Sequence, residues 1–328
     1  MRFSHKGCRS MEIFMMRKIL EVANEFAEIN IFNDHTHRTI QDKVKVFCER
    51  SGAVYLSDVS LASITRFKKS TLEVAKPVTY NGYIRYMRLI MDYAKSQGYI
   101  DQNLFKSIRL APVGVAPRKV MELELIDRAC LQIVQKPHEY RPHWFWLAVI
   151  YTLYYSGMRR RQLVTLKLKD IDFENSLISL SYEGSKTHRS WVIPMHENVS
   201  ARLHDLILRS EAALGRKLKD DDFLFSAGRF YPRYKVIRGG GMKGGAITGF
   251  FKRLGKKLDL PIGAHRFRHT LATELCNPPG IDSPDIFAVQ ALLGHTSIQT
   301  TRSYTETSSA RMESLMNKMR EPFSKSYV

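Results

Sequence analysis

The sequence predicts a mainly α-helical protein with one small antiparallel β-sheet. In most segments apolar residues recur every three or four positions, which is the spacing of an amphipathic helix. Residues 178–182 and 191–195 alternate strictly instead, which indicates two paired strands. Residues 112–118 hold two prolines and a glycine with little periodicity, so we expect an exposed linker between two domains there.

The composition indicates a globular protein with a polyanionic partner. The net charge is +19, and hydrophobic residues make up 44% of the 328 residues. Nucleic acid is the usual partner of such a basic chain, although a merely basic surface and an anionic membrane stay open. The longest mostly apolar run, residues 144–155, is shorter than the ~20 residues that span a bilayer. Four scattered cysteines without metal-ligand spacing are typical of reduced thiols in a cytosolic protein.

The first part of the chain is predicted to be helical throughout. Residues 1–35 should hold one amphipathic N-terminal helix, and residues 36–111 a small all-helical domain. The last long helix of that domain carries three basic residues beside its apolar face: Arg85, Arg88 and Lys95. They are either DNA-binding residues or ordinary solvated cations of a helical bundle, and the sequence favours neither reading.

The second part of the chain contains two basic segments, the first of which places a cation where a phosphate group can bind. A Ser-Gly pair ends an apolar helix just before Arg159, which puts Arg159 in the first turn of the next helix. A helix amino terminus attracts anions, and a guanidinium adds a bidentate contact. Arg160 and Arg161 are expected to face solvent or the DNA backbone. Lys186 lies in the predicted hairpin turn over residues 183–189.

A glycine-rich basic stretch, residues 239–245, contains Lys243. It is not a nucleotide-binding loop, because no Gly-Lys-Ser or Gly-Lys-Thr sequence follows it. We expect a loop in which Lys243 contacts the DNA backbone.

Two histidine motifs follow. His265 and Arg268 are three positions apart on a predicted helix and therefore share one face. Arg266 stands where a zinc protease would need glutamate, which excludes that class and leaves Arg266 as a candidate DNA contact. His269 is interpreted as a structural histidine.

The second histidine motif covers residues 292–304. Gly294 is suited to the left-handed turn that ends a helix, and Thr296 or Ser297 can cap the next one. His295 and Tyr304 therefore lie on a tight helix–turn–helix, from which both side chains can reach one pocket.

Taken in order, six residues resemble the active-site set of the tyrosine recombinases, the phage-integrase and Xer family: Arg159, Lys186, His265, Arg268, His295 and Tyr304. The resemblance covers roughly residues 36–304. It departs at Gln162, where the family pattern has Glu or Asp. It implies a core-binding domain over residues 36–111 and a mixed α+β catalytic domain over residues 119–328.

The resemblance also implies a mechanism that uses neither a metal nor ATP. Tyr304 would attack the scissile phosphate and form a 3′-phosphotyrosyl link. Arg159 and Arg268 would hold the non-bridging oxygens, and His295 would hydrogen-bond the phosphate. His265 would act as the base for Tyr304, and Lys186 as the acid for the departing 5′-oxygen.

The implied partners are double-stranded DNA with paired sites and three further copies of the chain. A carboxy-terminal helix would be exchanged between protomers of this tetramer through an apolar stripe: Met312, Leu315, Met316 and Met319. Accessory DNA-bending proteins and a location on the nucleoid of a bacterial cytoplasm fit the same picture. Two alternatives stay open: a non-catalytic DNA-binding regulator, which is favoured only by Gln162 in place of the carboxylate, and a type IB topoisomerase.

Overall fold

The computed structural model describes residues 16–32, 34–114, 120–181, 189–236, 240–278 and 284–305. The chain forms two units that divide between Ala116 and Pro117. This division falls within the stretch that the sequence indicates as a linker. Each unit contains its own hydrophobic core.

The first unit is helical. Its long helices are α1 (Ile19–Ile29), α2 (Asp34–Ser51), α3 (Leu61–Leu72) and α4 (Pro77–Ser96), with 3-10 turns at Leu56–Asp58 and Leu104–Lys106. Helix α1 packs on α2 and α4. Because Ile19, Val22 and Ala23 are fully buried in the common core, this helix is part of the helical unit and does not stand apart from it.

Local sequence signals set the starts of two of these helices. The Ser60 hydroxyl accepts a hydrogen bond from the Ser63 N–H at 3.2 Å, and the Ser63 hydroxyl accepts one from the Ser60 N–H at 2.9 Å. This reciprocal pair satisfies two backbone N–H groups that have no acceptor within α3. Pro77 occupies the first position of α4, where a backbone N–H would have no acceptor within the helix, so the lack of an N–H in proline costs no hydrogen bond.

The second unit combines helices with a small sheet. Its helices are α5 (Leu123–Gln135), α6 (His143–Ser156), α7 (Arg160–Thr165), α8 (Glu197–Leu214), α9 (Gly244–Leu258), α10 (Ala264–Cys276), α11 (Ile286–Leu293) and α12 (Ile298–Arg302). Helix α6 is central, since it contacts α5, α7, α8 and α10. Trp146 of α6 stacks on Phe250 of α9 with ring centroids 3.9 Å apart. No described helix, α6 included, is long and apolar enough to cross a membrane.

The sheet has three antiparallel strands in the order β1 (Ile171–Asp172), β2 (Leu177–Leu180) and β3 (Trp191–Pro194). Ile178 of β2 pairs with Ile193 of β3, as the alternating pattern predicts. Strand β1 escaped prediction because two residues are too few to show alternation. The predicted fold class, mainly α with a small antiparallel sheet, is confirmed. The hairpin turn with Lys186 lies outside the described residues.

Candidate active site

Arg159 occupies the junction between α6 and α7. Gly157 ends α6 in the left-handed conformation, with φ of +58°. A Cβ atom there would lie 2.8 Å from Leu271 and 2.9 Å from Leu293, so the packing excludes larger residues. Arg159 is the N-cap residue of α7, and its side chain is half-buried. Burial lowers the pKa of its guanidinium, whereas Tyr304 raises it.

Gln162 stands where the resemblance predicts a carboxylate. Its Oε1 accepts a hydrogen bond from the Arg159 backbone N–H at 2.8 Å, which caps the first turn of α7. The residue is 2% exposed. Among the described residues, neither Gln162 Nε2 nor Arg159 Nη1 has a hydrogen-bond partner, and both atoms are buried. Two buried donors therefore lack an acceptor at the start of α7.

Arg268 of α10 is buried next to this junction, with 2% exposure. Its Nη1 donates to the Gly157 carbonyl at 2.8 Å, and its Nη2 donates to the Leu293 carbonyl at 2.5 Å. These bonds tie the end of α6 to the end of α11. Burial, and secondly the Arg159 cation, lowers the pKa of Arg268 to about 9. A bound anion would favour the charged form again, so the site is suited to a phosphate.

Two histidines of α10 lead from the surface to Tyr304. His265 is exposed, and His269, one turn further on, is half-buried. The ring centroids of His265 and His269 are 4.3 Å apart, and those of His269 and Tyr304 are 5.4 Å apart. His269, which the sequence suggested to be structural, therefore lies against the predicted nucleophile.

The turn between α11 and α12 carries His295. Gly294 ends α11 with φ of +61°. A Cβ atom on Gly294 would lie 2.4 Å from the ring of Trp191, which belongs to β3. The Trp191 indole N–H donates to the Leu292 carbonyl at 3.2 Å. The sheet therefore supports the turn that positions His295.

His295 is held from the other side by α12. Its Nδ1 lies 2.9 Å from the Thr301 hydroxyl oxygen. The rings of His295 and Tyr304 are nearly parallel, at 7°, with centroids 6.1 Å apart. Burial lowers the pKa of His295 to about 4, and the nearby guanidinium groups add to this shift. The imidazole is therefore neutral near pH 7.

Tyr304 follows α12 in a turn and is 6% exposed. Its N–H donates to the Thr301 carbonyl at 2.9 Å, and its carbonyl accepts from Asn277 Nδ2 at 2.8 Å. The phenol interacts electrostatically with Arg159 and Arg268. Its ring packs in a small apolar cluster with Ala272, Cys276, Val289 and Leu293. Both the backbone and the ring of Tyr304 are thus fixed.

A pocket of about 640 Å³ opens beside this arrangement. Its lining includes Arg159, Arg160, Arg161, His265 and Arg268. The structure therefore brings five of the predicted catalytic residues together: Arg159, His265, Arg268, His295 and Tyr304. The catalytic role of each of them stays a prediction.

The residues predicted to contact DNA differ in their surroundings. Arg266 is half-buried. Arg88 donates from Nε to the Phe105 carbonyl at 3.0 Å, and from Nη2 to the Ile108 carbonyl. This guanidinium joins α4 to the segment that follows it, which is a structural role within the first unit. The remaining candidates are exposed, and a DNA contact of any of them stays a prediction: Arg85, Lys95, Arg160, Arg161 and Lys243.

Sequence reasoning missed three supports of the site. It read Trp191 only as a strand residue, because its contact with Gly294 joins segments far apart in the chain. It noted Gln162 only as a departure, although a side chain three residues into a helix can cap the first turn. The spacing of four between His265 and His269 was the available signal that His269 shares a helix face with the site.

The comparison with known sequences decides the family. The profile described as the phage integrase family matches residues 125–311, which is more than half of the chain. The chain belongs to the phage integrase family. A relative from Pseudomonas aeruginosa that carries the name tyrosine recombinase XerC is 30% identical over 80% of this chain. The match covers 62% of that relative, so this integrase-family chain spans about three fifths of the relative's length.

Solved structures agree with the fold. The Tn1549 transposon integrase in complex with a circular intermediate DNA has a TM-score of 0.71 at 19% identity, over 92% of this chain and 99% of that one. A lambda integrase from a tetramer bound to a Holliday junction has a TM-score of 0.61 at 19% identity, over 85% of this chain and 76% of that one. At these identities the likeness establishes the integrase fold for both units.

Proposed function

We propose that this member of the phage integrase family is a site-specific DNA recombinase that cuts and rejoins DNA through Tyr304. The observation that carries the proposal is the position of Tyr304, a buried and fixed phenol that interacts electrostatically with Arg159 and Arg268. Phosphoryl transfer needs an in-line nucleophile next to cations that stabilise the developing charge. The family membership supports the same chemistry.

The two arginines bind the scissile phosphate. Among the described residues, Arg268 donates two of its five N–H groups to the carbonyls of Gly157 and Leu293, and the remaining N–H groups are the proposed donors to the phosphate. Arg159 Nη1 is buried without a partner among the described residues and is a further donor for a non-bridging oxygen. Because two backbone carbonyls orient the Arg268 side chain before DNA arrives, little reorganisation of this guanidinium is needed when charge develops on the phosphate.

His295 supplies a neutral hydrogen bond to the same phosphate. When Nδ1 accepts a hydrogen bond from the Thr301 hydroxyl, the single ring proton of the neutral imidazole is on Nε2, which is then a hydrogen-bond donor. Since the pKa of His295 is lowered to about 4, this donor stays uncharged over the physiological range. His295 therefore orients the phosphate without titrating.

Cleavage then forms one bond and breaks another. Tyr304 Oη loses its proton to the base, which the resemblance implies to be His265, and bonds to phosphorus, while the bond from phosphorus to the 5′-oxygen breaks. Lys186 protonates that leaving oxygen, as the resemblance implies. The 5′-hydroxyl of a second strand reverses the step, and the phosphotyrosyl link conserves the energy that rejoining requires.

The partners follow from the same proposal. The substrate is double-stranded DNA with paired sites, consistent with the net charge of +19. Four copies assemble on it by exchanging the carboxy-terminal apolar stripe. An apolar groove of about 640 Å³ between β3 and α11 is suited to receive that stripe, and its lining includes Val192, Pro194, Leu275, Ala288 and Leu292. Accessory DNA-bending proteins and action on the nucleoid of a bacterial cytoplasm belong to this proposal.

The test is to trap covalent protein–DNA adducts in cells and to sequence the attached DNA, with wild type beside Tyr304→Phe. Wild type should give adducts at one short inverted-repeat locus. Tyr304→Phe should give none and should bind the same DNA as tightly, because it lacks only the phenolic oxygen.

Each other result redirects the assignment. Adducts scattered over the genome would identify a type IB topoisomerase. Equal amounts of adduct in wild type and Tyr304→Phe would show that a residue other than Tyr304 is the nucleophile. Binding without adducts in either protein would identify a non-catalytic DNA-binding regulator.

A further inference from the structure

We propose that His269 is a further catalytic residue, which accepts the phenolic proton of Tyr304 and passes it to His265 at the surface. The inference rests on the proposed function, since it concerns how the nucleophile of that reaction is activated. It departs from the sequence-based interpretation of His269 as a structural histidine.

The first observation is the order of the three rings. His269 contacts Tyr304 on one side, with centroids 5.4 Å apart, and His265 on the other, with centroids 4.3 Å apart. His265 and His269 face each other because they are four residues apart on α10. Two imidazole rings therefore lie next to the Tyr304 ring, and the one that also contacts His265 is that of His269.

The second observation is the change in exposure along this series. Tyr304 is 6% exposed, His269 is half-buried and His265 is exposed. A proton released by a buried phenol needs a route to solvent, and the two imidazoles provide one. His265 then serves as the exit of the route, while His269 meets the phenol.

The third observation is the electrostatic setting of His269. His265 faces it from α10, and Tyr304 and His295 face it from the segment after α11. Charge on His269 acts on His295, as do the cations of Arg159 and Arg268. His269 therefore belongs to the same cluster of interacting groups as Tyr304 and His295.

The proton transfer balances. His269 takes the proton from Tyr304 Oη as the oxygen bonds to phosphorus and the 5′-oxygen leaves. Protonated His269 gives the proton to His265, which releases it to solvent. In the reverse reaction the proton returns by the same route to the tyrosine oxygen as the phosphotyrosyl bond breaks.

The experiment measures single-turnover cleavage on a nicked substrate carrying the locus to which wild type becomes attached. His269→Phe keeps a ring against Tyr304 but cannot accept a proton, and His269→Gln keeps polarity. Both should bind DNA normally and cleave about 10²–10⁴-fold more slowly, which is the usual range for loss of a general base. Free imidazole should partly restore cleavage by His269→Ala.

The pH profile separates a proton acceptor from a packing residue. Wild-type cleavage should fall as the pH drops through the pKa of the acceptor imidazole, and this limb should vanish in His269→Phe. His295 cannot produce the limb, because its pKa is about 4. The matched control is His196→Phe, since His196 also stacks on a tyrosine, with its centroid 4.1 Å from that of Tyr155, but away from the site.

Each outcome decides the inference. Wild-type rates and an unchanged pH profile in His269→Phe would overturn it. Slow cleavage by His269→Ala that free imidazole does not restore would also overturn it, because the defect would then come from lost packing. A wild type that forms no adduct at any pH would overturn the proposed function as well, whereas normal cleavage by both wild type and His269→Phe would leave that function standing.

Discussion

At the scale of single residues, the candidate site combines burial with positive charge, which suits it to bind an anion. Arg268 is 2% exposed, although a buried guanidinium is costly unless it is paired. Two backbone carbonyls satisfy part of its donors, and burial together with the Arg159 cation lowers its pKa to about 9. A phosphodiester would supply the missing negative charge, so DNA binding should stabilise this part of the fold.

Gln162 gives a prediction at the same scale. Gln162→Glu keeps an oxygen for the Arg159 N–H and replaces the buried, unpartnered Nε2 with an acceptor beside a guanidinium. We expect cleavage to be retained or increased and the thermal midpoint to be equal or higher, as measured by adduct formation and by calorimetry. Loss of cleavage in Gln162→Glu would show that the amide has a role of its own.

Gln162→Met is the matched control for that change. It preserves most of the side-chain volume and removes the acceptor of the Arg159 N–H. An unsatisfied buried donor costs about 1–3 kcal/mol of unfolding free energy. This variant should therefore be less stable than both wild type and Gln162→Glu.

At the scale of elements, helix ends position the side chains that are predicted to be catalytic. Gly157 ends α6 two residues before Arg159, and Gly294 ends α11 directly before His295. Both have positive φ, and at both a side chain would collide with the core of the unit. The elements therefore fix the distance between these two functional residues through backbone packing as well as through hydrogen bonds.

Gly294→Ala tests this arrangement, with Gly215→Ala as its control. The two glycines end α11 and α8 with φ of +61° and +64°. Left-handed alanine should cost each variant about 1–2 kcal/mol. Only at Gly294 does the new Cβ meet the Trp191 ring, at 2.4 Å, while nothing lies within 4 Å at Gly215.

Gly294→Ala should therefore lose about 1–3 kcal/mol more than Gly215→Ala in urea unfolding, as overpacking usually costs. It should also cleave more slowly, because His295 follows the displaced turn. Equal losses in the two variants would show that Trp191 gives way and does not set the position of His295.

At the scale of the whole molecule, charge is the dominant property. A net charge of +19 over 328 residues should make DNA affinity fall steeply and linearly with the logarithm of salt concentration. The basic residues are of two kinds, those whose side chains support the fold and those that face solvent. Arg85 and Arg88, on the same helix α4, illustrate both kinds.

Arg85→Gln and Arg88→Gln form a matched pair for this distinction. Arg85→Gln should leave unfolding unchanged and lower the slope of the logarithmic salt plot by about 1, if Arg85 contacts a phosphate. Arg88→Gln should lower stability by about 1–3 kcal/mol, since the carbonyls of Phe105 and Ile108 lose their donor. Anisotropy titrations and urea unfolding measure the two effects, and an unstable Arg85→Gln would contradict the assignment.

The sequence by itself determined the class of fold and the identity of most candidate site residues. Helical periodicity, one alternating pair of segments and a proline-rich linker are local signals, and the fold class follows from them. Arg159, Arg268, His295 and Tyr304 were predicted because they occur in an order that resembles the active-site set of the tyrosine recombinases.

Only the tertiary structure decided how these residues are supported. Three of these supports are contacts between segments that are distant in the chain. They are the contact of Trp191 with Gly294, the hydrogen bonds of Arg268 to two helix ends, and the packing of His269 against Tyr304. Periodicity reports which face of an element is apolar, but it does not report which other element covers that face. The physical reason is that long-range packing sets side-chain environment, and the same histidine is structural or catalytic according to the neighbour that packing gives it.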